Sequence, residues 1–417
     1  MHTRSIGSYV SRAAVAVGVI LLVNAVSAQD VERPPTHGPT IRANVGDVLN
    51  RAIESLNAKK YADAESAIAA LDRSALTPFE RSRVAQIRFN IAFNDKRYDD
   101  AIVDLQEAID AGGLSAAEVS RARYQTAQLL MTKGEWGEGA AALEQWVSSA
   151  ANPDGNAYYL LAVAYYQKGD YAHALPAVEQ AVTLTEEPPE SWMQLLLALH
   201  LKREDYADAI VLLQRLIALV PQKKKYWMQL SSVYGRTDDY RNALAIMQLA
   251  YNAGFVTEDA EIRRFADLLL FNNVPARAAK VLETAVASKS VTLDDKLYEK
   301  LADSFIAADE LDKAVAPLTR AAELSADGQL FVRLGELQVR REDWARAEAA
   351  LESGFAKGKL EDSGRADYLM GVVVFEQGRL QAARSWFELA LRSDKWRESA
   401  ARYLGTIDGR LGSRHVL

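Results

Sequence analysis

One small residue recurs along most of this chain: Ala64, Ala101, Gly139, Ala174, Ala209, Ala243, Ala278, Ala314, Ala347 and Ala383, at intervals of 33 to 38 residues. Four positions after each stands a large apolar side chain, in order Ile68, Leu105, Leu143, Val178, Leu213, Met247, Leu282, Leu318, Leu351 and Phe387. Seven after, alanine is frequent: Ala108, Ala181, Ala250, Ala285, Ala321 and Ala390. Three before, most units carry an aromatic: Tyr61, Tyr98, Trp136, Tyr171, Tyr206, Tyr240 and Trp344. Steps of three, four and seven put these residues on one face of a helix. The small marker lets a neighbouring helix approach, and the large residue fills the space beside it. Upstream of each marker lies a second apolar-periodic segment, joined by a glycine or polar turn such as "QKGDY" or "GRTDDY". The period is therefore that of a pair of antiparallel helices, repeated about ten times.

Start signals fit these pairs. Thr77-Pro78-Phe79-Glu80 reads as a capping threonine, a proline at the first helical position and a glutamate that closes a capping box. Thr292-Leu293-Asp294-Asp295 reads as a similar opening. "NPDG" at 152–155 and "SADG" at 325–328 read as turns between units. After the last unit, Trp396, Ala400, Tyr403 and Leu404 share one face, as expected of a closing helix that covers the final apolar surface.

These residues carry a family resemblance. Trp227-x2-Leu230-x3-Tyr234 followed by Ala243-x3-Met247-x2-Ala250 resembles the tetratricopeptide repeat. So do Trp192-x2-Leu195 with Ala209-x3-Leu213-x2-Leu216-x4-Pro221, the set Tyr158, Leu161, Ala162 and Tyr165, and the set Phe331, Leu334 and Gly335. The first three units fit less well in their first helices, where Arg88 and Arg123 occupy positions expected to be apolar. The resemblance implies an all-α, right-handed α-solenoid of about ten helix pairs over residues 45–395, with residues 396–417 as capping helix and tail. The run from Lys223 to Val286 also resembles periplasmic repeat proteins that accompany TonB–ExbB–ExbD energy-transducing systems. That likeness implies a helper in energised outer-membrane uptake, with TonB, ExbB, ExbD or an outer-membrane receptor as partner.

Residues 1–28 differ from the rest. Arg4 and Arg12 precede the apolar run Ala13–Val23, and Val26-Ser27-Ala28 offers small residues before a cut. This reads as a secretory signal; a run of this length falls short of the ~20 residues that span a bilayer. Residues 29–44, proline-containing and aperiodic, read as a flexible lead-in. Removing the signal takes away two arginines from 49 basic residues and leaves 56 acidic ones, so the net charge falls from −7 to −9. Such a chain is ill suited to non-specific nucleic-acid or anionic-lipid binding. It has no cysteine, which removes disulfides, thiolate metal sites and a cysteine-linked lipid anchor, and suits an oxidising compartment. The location expected is the bacterial periplasm, with no integral span after cleavage.

Little in the sequence points to catalysis. The histidines are His2, His37, His173, His200 and His415, and no two have metal-ligand spacing. The acid pairs Asp99-Asp100, Asp238-Asp239 and Asp294-Asp295 fall at helix starts, where carboxylates cap backbone N–H groups. No nucleophile elbow, phosphate loop or H-E-x-x-H is present. Trp136, Trp192, Trp227 and Trp344 take repeat-core positions rather than forming a sugar site. No catalytic residue, metal or cofactor is expected. Lys223-Lys224-Lys225 reads as a solvated turn.

Binding is expected instead on the concave face that first helices line. "WMQL" occurs twice, at 192–195 and 227–230, and the helical step of about 100° separates its letters. Trp192, Leu195, Trp227 and Leu230 point to the core, while Met193, Gln194, Met228 and Gln229 turn away. The same register adds Asn156, Tyr159, Tyr166, Leu197, His200, Lys225, Ser232, Arg263 and Asp267. Tyr159, Tyr166, Met193, Leu197 and Met228 would form an aromatic and methionine strip suited to a helix or an extended peptide. The alternative is that these residues pack against the next unit's first helix. The lysine and asparagine set of a carboxylate clamp is not evident, so recognition of a C-terminal carboxylate is not expected. Competing functions are a factor for envelope assembly or polysaccharide export, and an enzyme acting on peptidoglycan.

Overall fold

The computed structural model describes residues 40–413, so the expected signal, most of the lead-in, His2, His37 and His415 lie outside the described residues. Its contacts divide the chain into two units that meet in sequence between Asp205 and Tyr206. The first holds α1 (Ala43–Asn57), α2 (Tyr61–Ala69), α3 (Pro78–Asn94), α4 (Tyr98–Asp110), α5 (Ala116–Lys133), α6 (Trp136–Ser149), α7 (Gly155–Lys168), α8 (Tyr171–Thr183) and α9 (Glu190–Arg203). The second holds α10 (Tyr206–Leu219), α11 (Lys224–Arg236), α12 (Tyr240–Asn252), α13 (Asp259–Phe271), α14 (Pro275–Ser288), α15 (Asp295–Ala307), α16 (Leu311–Leu324), α17 (Gln329–Arg340), α18 (Trp344–Lys357), α19 (Ser363–Glu376), α20 (Leu380–Ala390) and α21 (Arg397–Ser413). Among the described residues there is no strand. Within each unit, consecutive helices pack as pairs and each second helix packs on the first helix of the next pair.

The marker pattern is the core. All nine marker alanines are wholly buried, and the large residues four on are 0–6% exposed. The turn within each helix pair has one conformation throughout. Lys59, Lys96, Gly134, Gly169, Glu204, Asp238, Asn273, Asp309, Glu342 and Gly378, each five positions before its marker, adopt left-handed backbone with φ between 57° and 84°. The next residue's N–H then reaches back to a carbonyl near the end of the preceding helix, as Arg97 does to Ala92 (2.8 Å) and Asp239 to Tyr234 (3.0 Å). This is a helix-terminating bond that caps free carbonyls. Glycine fills the left-handed position in three of the ten turns. Elsewhere lysine, aspartate, asparagine or glutamate does so, which is why the turns read from sequence only as polar.

Helix starts agree with the sequence in one case and shift in another. Thr77 and Glu80 form the expected reciprocal capping box on α3. Glu80 is wholly buried and also binds Arg42, whose Nε lies 2.9 Å from Oε1 and Nη2 2.7 Å from Oε2. Arg42 holds the Glu80 carboxyl far below the usual carboxylate range, and so ties the start of α1 to α3. At α15 the cap is Asp294 rather than Thr292: its carboxylate accepts the Leu297 N–H at 2.7 Å.

Arg88 sits where an apolar residue is expected because α4 answers it with acids. Its guanidinium is 2.8 Å from both Asp104 Oδ1 and Glu107 Oε2. Arg123 is exposed, and the buried register of α5 instead runs through Ala122, Ala127, Leu129 and Met131. The Asp104 side chain is 4% exposed, and its Oδ1 is within ion-pair distance of Arg88 yet has no N–H aimed at it. Burial outweighs the attraction of Arg88 and pushes the Asp104 carboxyl up to about 6. A carboxyl raised in the folded state contributes stability below its unfolded value of about 4, and loses it as pH rises through 6. Asp104→Asn is therefore expected to stabilise the protein at pH 8 by up to about 3 kcal/mol, with the gain vanishing toward pH 4. Urea denaturation of both forms at the two pH values checks this; a variant that is less stable at pH 8 contradicts it.

The chain closes as its periodicity indicates. On α21, Ala400 and Ile407 are wholly buried, and Tyr403 stacks on Phe387 at 4.7 Å. Trp396 stacks on Tyr368 at 5.0 Å and donates from Nε1 to Asp362 at 3.0 Å. Arg402 and Glu398, on the far side, are 71% and 90% exposed.

Candidate functional site

The predicted groove residues divide between the two units. In the first unit, Met193, Leu197 and His200 do not line an open face: they are 3%, 3% and 7% exposed. The orientation read from sequence is corrected here, and the reason is geometric. A first helix in a stack is covered on more than its seam with the second helix. Tyr159 on α7 lies on Trp192 of the next first helix, with ring centres 5.1 Å apart and planes 16° from parallel. Counted back from the left-handed turn residues Gly169 and Glu204, Met193 and Leu197 correspond to Tyr158 and the buried Ala162 of α7, and it is Gln194 that corresponds to Tyr159. His200 lies in the last turn of α9, its Nδ1 3.8 Å from the Asp205 carboxylate and without a hydrogen bond.

What remains accessible in this unit is smaller and aromatic. Asn156 is exposed, with Nδ2 3.3 Å from Asp154. Tyr159 and Tyr166 are half-buried, and Tyr166 meets Tyr171 edge to face at 5.4 Å. Burial pushes the Tyr159 hydroxyl pKa up. Gln194 is half-buried and donates to Glu190 at 2.6 Å. His173 is exposed, and its Nδ1 lies 2.8 Å from the capping Asp170.

In the second unit the charged groove residues are tied to neighbouring helices. Arg263 meets Asp259 at 2.5 Å and Asp294 at 3.1 Å, and donates to the Thr292 carbonyl at 2.8 Å. Burial opposes ionisation of Asp259, and the bonds from Arg263 and Thr292 overcome it, holding that carboxyl below its usual range. Asp267 pairs with Lys300 of α15. The pattern continues: Glu299 and Asp303 of α15 pair with Arg333 of α17, and Glu336 of α17 pairs with Arg365 of α19. Successive first helices are thus laced by ion pairs. Each exposed pair is worth ~0–1 kcal/mol, so the lattice fixes register more than it adds stability. On α11, Lys225 and Gln229 are exposed, and Ser232 and Met228 are half-buried. Met228 packs on the apolar core, and Lys225 places Nζ 4.6 Å from the Tyr226 ring centre.

Sequence reasoning passed over one surface of this unit. Phe271 is 66% exposed and lies 4.1 Å from the Tyr240 ring, beside a depression lined by Arg241, Leu244, Gln248, Leu269, Val274 and Arg277. A signal was available. Phe271 lies off the Ile262, Phe265, Ala266 and Leu269 core stripe, so an aromatic stood where the core did not need one.

Among the described residues no three metal-ligating side chains cluster, and no helix is long and apolar enough to cross a membrane. The family model described as tetratricopeptide repeat matches residues 88–156, 124–191 and 332–400. Residues 88–191 and 332–400 are thus tetratricopeptide repeats. The matches include two of the first helices whose register is unusual, α5 and part of α3. No curated protein matches the sequence. Among solved structures, it is similar to YrrB, described as a TPR protein with an unusual peptide-binding site, at 14% identity and TM-score 0.38, covering 46% of this chain and 96% of that one. A tetratricopeptide-repeat protein from Parabacteroides merdae gives 14% identity and TM-score 0.36, covering 71% and 98%. MamA gives 18% identity and TM-score 0.36, covering 42% and 94%. Repeats of this family act as protein-interaction scaffolds, and partners of this chain are expected to be proteins.

Proposed function

We propose that this tetratricopeptide-repeat chain is a non-catalytic periplasmic scaffold that holds a segment of a partner protein and assists TonB-dependent outer-membrane transport. The observation that carries the scaffold is the half-exposed tyrosine surface of the first unit, Tyr159 and Tyr166 beside Asn156 and Gln194, on first helices that are otherwise packed. Rigid aromatic side chains with a polar tip give large contact area at low entropic cost. Lys225, Gln229 and Ser232, with the partly packed Met228, form a second and more polar surface on α11. The signal-like residues 1–28 and the absence of cysteine support the periplasm, and the Lys223–Val286 resemblance supports the transport role.

Crosslinking in intact cells followed by purification of the tagged chain tests the assignment. Recovery of TonB, ExbB, ExbD or a TonB-dependent receptor is expected. Recovery of other envelope proteins alone removes the transport role and leaves the scaffold.

A further inference from the structure

The depression on the second unit has features that the first-helix faces lack. It measures about 200 Å³ and is bounded mainly by second helices, with Arg241, Leu244 and Gln248 on α12, Arg277 on α14, and Leu269 and Val274 between them. With Ala245 of α12, four of the seven lining side chains are apolar, two are cationic and none is acidic. Val274 is 38% exposed and Phe271 beside it 66%.

Charge is a second observation. In the same unit Arg263, Arg333, Arg341, Arg365 and Arg379 each meet a carboxylate of the chain. Among the described residues, neither Arg241 nor Arg277 has an ion-pair or hydrogen-bond partner. An apolar floor and two unpaired guanidinium groups fit one kind of occupant. The net charge of −7 disfavours a polyanion or an anionic membrane, whose charge extends beyond the site.

We propose that this depression is a docking site for an acidic amphipathic segment of a partner protein, separate from the first-helix faces. A leucine, methionine or phenylalanine side chain enters against Leu244, Leu269 and Val274. Carboxylates three or four residues away along a helix, or two along a strand, reach Arg241 and Arg277. Phe271 with Tyr240 flanks the entry.

Selection of random 12-residue peptides displayed on phage against the full chain tests this. The expected peptides carry Asp or Glu near a large apolar residue, and bind more weakly as salt rises. They lose roughly tenfold or more in affinity for the Arg241→Glu, Arg277→Glu double variant, and part of that for Arg241→Gln, Arg277→Gln. Both variants alter exposed side chains, so their circular dichroism should match the parent. Tyr166→Ala leaves binding unchanged. Neutral or basic consensus peptides, equal binding by the glutamate variant, loss of binding on Tyr166→Ala, or no enriched peptide overturns the proposal. So does concentration-dependent self-association that the glutamate variant abolishes, since the occupant is then a second copy.

Discussion

Trp192→Ala is expected to destabilise the protein by about 3–5 kcal/mol, the cost of removing a large aromatic from a packed interior. Trp192 is 5% exposed, stacks on Tyr159, and lies against the backbone of Gly155, where an added Cβ would come within 3.0 Å of its ring. Little nearby can move to fill the cavity. Trp227 carries the same letter of "WMQL" but stands 16 residues before its marker Ala243, where Trp192 stands 17 before Ala209; it is only partly buried, and its Nε1 donates to the Pro221 carbonyl at 2.8 Å. Trp227→Ala should therefore cost clearly less. Met193→Ala, at 3% exposure, belongs with the buried group and should cost about 2–4 kcal/mol. Denaturant midpoints and hydrogen exchange of α7 and α9 read these effects. Exchange is informative because repeat arrays need not unfold in one step. A Met193→Ala variant as stable as the parent contradicts the burial described here.

Gly328→Ala is expected to be among the most damaging single-methyl changes, at about 3 kcal/mol or more. On helix propensity alone, an alanine near the start of α17 would be neutral or helpful. Its Cβ would lie 2.1 Å from the Gly354 carbonyl oxygen, 2.9 Å from the carbon of that group and 3.0 Å from the Gly358 oxygen. All three are backbone atoms, so no side chain can swing aside. The Gly328 N–H also donates to the Gly358 carbonyl at 2.8 Å, which holds the two segments together. Thermal denaturation checks this, with loss of the cooperative transition in the second unit as the expected extreme. A variant with unchanged melting contradicts it.

These two sites show what could be read from the sequence and what could not. The marker alanines and their large partners were legible because a period of about 35 residues, with steps of four and seven inside it, has few physical solutions. The closing helix was legible for the same reason, through Trp396, Ala400 and Tyr403. Gly328 was legible only as a turn. That it admits a backbone oxygen of another helix depends on contacts outside its own segment. Met193, Leu197 and His200 were misplaced because the two "WMQL" copies are one residue out of register: Trp192 stands 17 before its marker and Trp227 stands 16 before, so Met193, Leu197 and His200 fall one repeat after Tyr158, Ala162 and Tyr165. Arg88 looked like a break in the repeat until Asp104 and Glu107 appeared on the facing helix. Arg263 and Asp267 looked available because their partners, Asp294 and Lys300, lie about one repeat further along the chain.

The most direct measurement is site-specific photocrosslinking in cells, with a photoreactive residue placed in turn at Asn156, at Tyr166 and at Glu179. Asn156 and Tyr166 lie on the first helix α7, and Glu179 is exposed on the second helix α8. A scaffold that works through its first-helix surface gives discrete protein adducts from Asn156 and Tyr166 and none from Glu179. Adducts from Glu179 alone, or from none of the three positions, would contradict it.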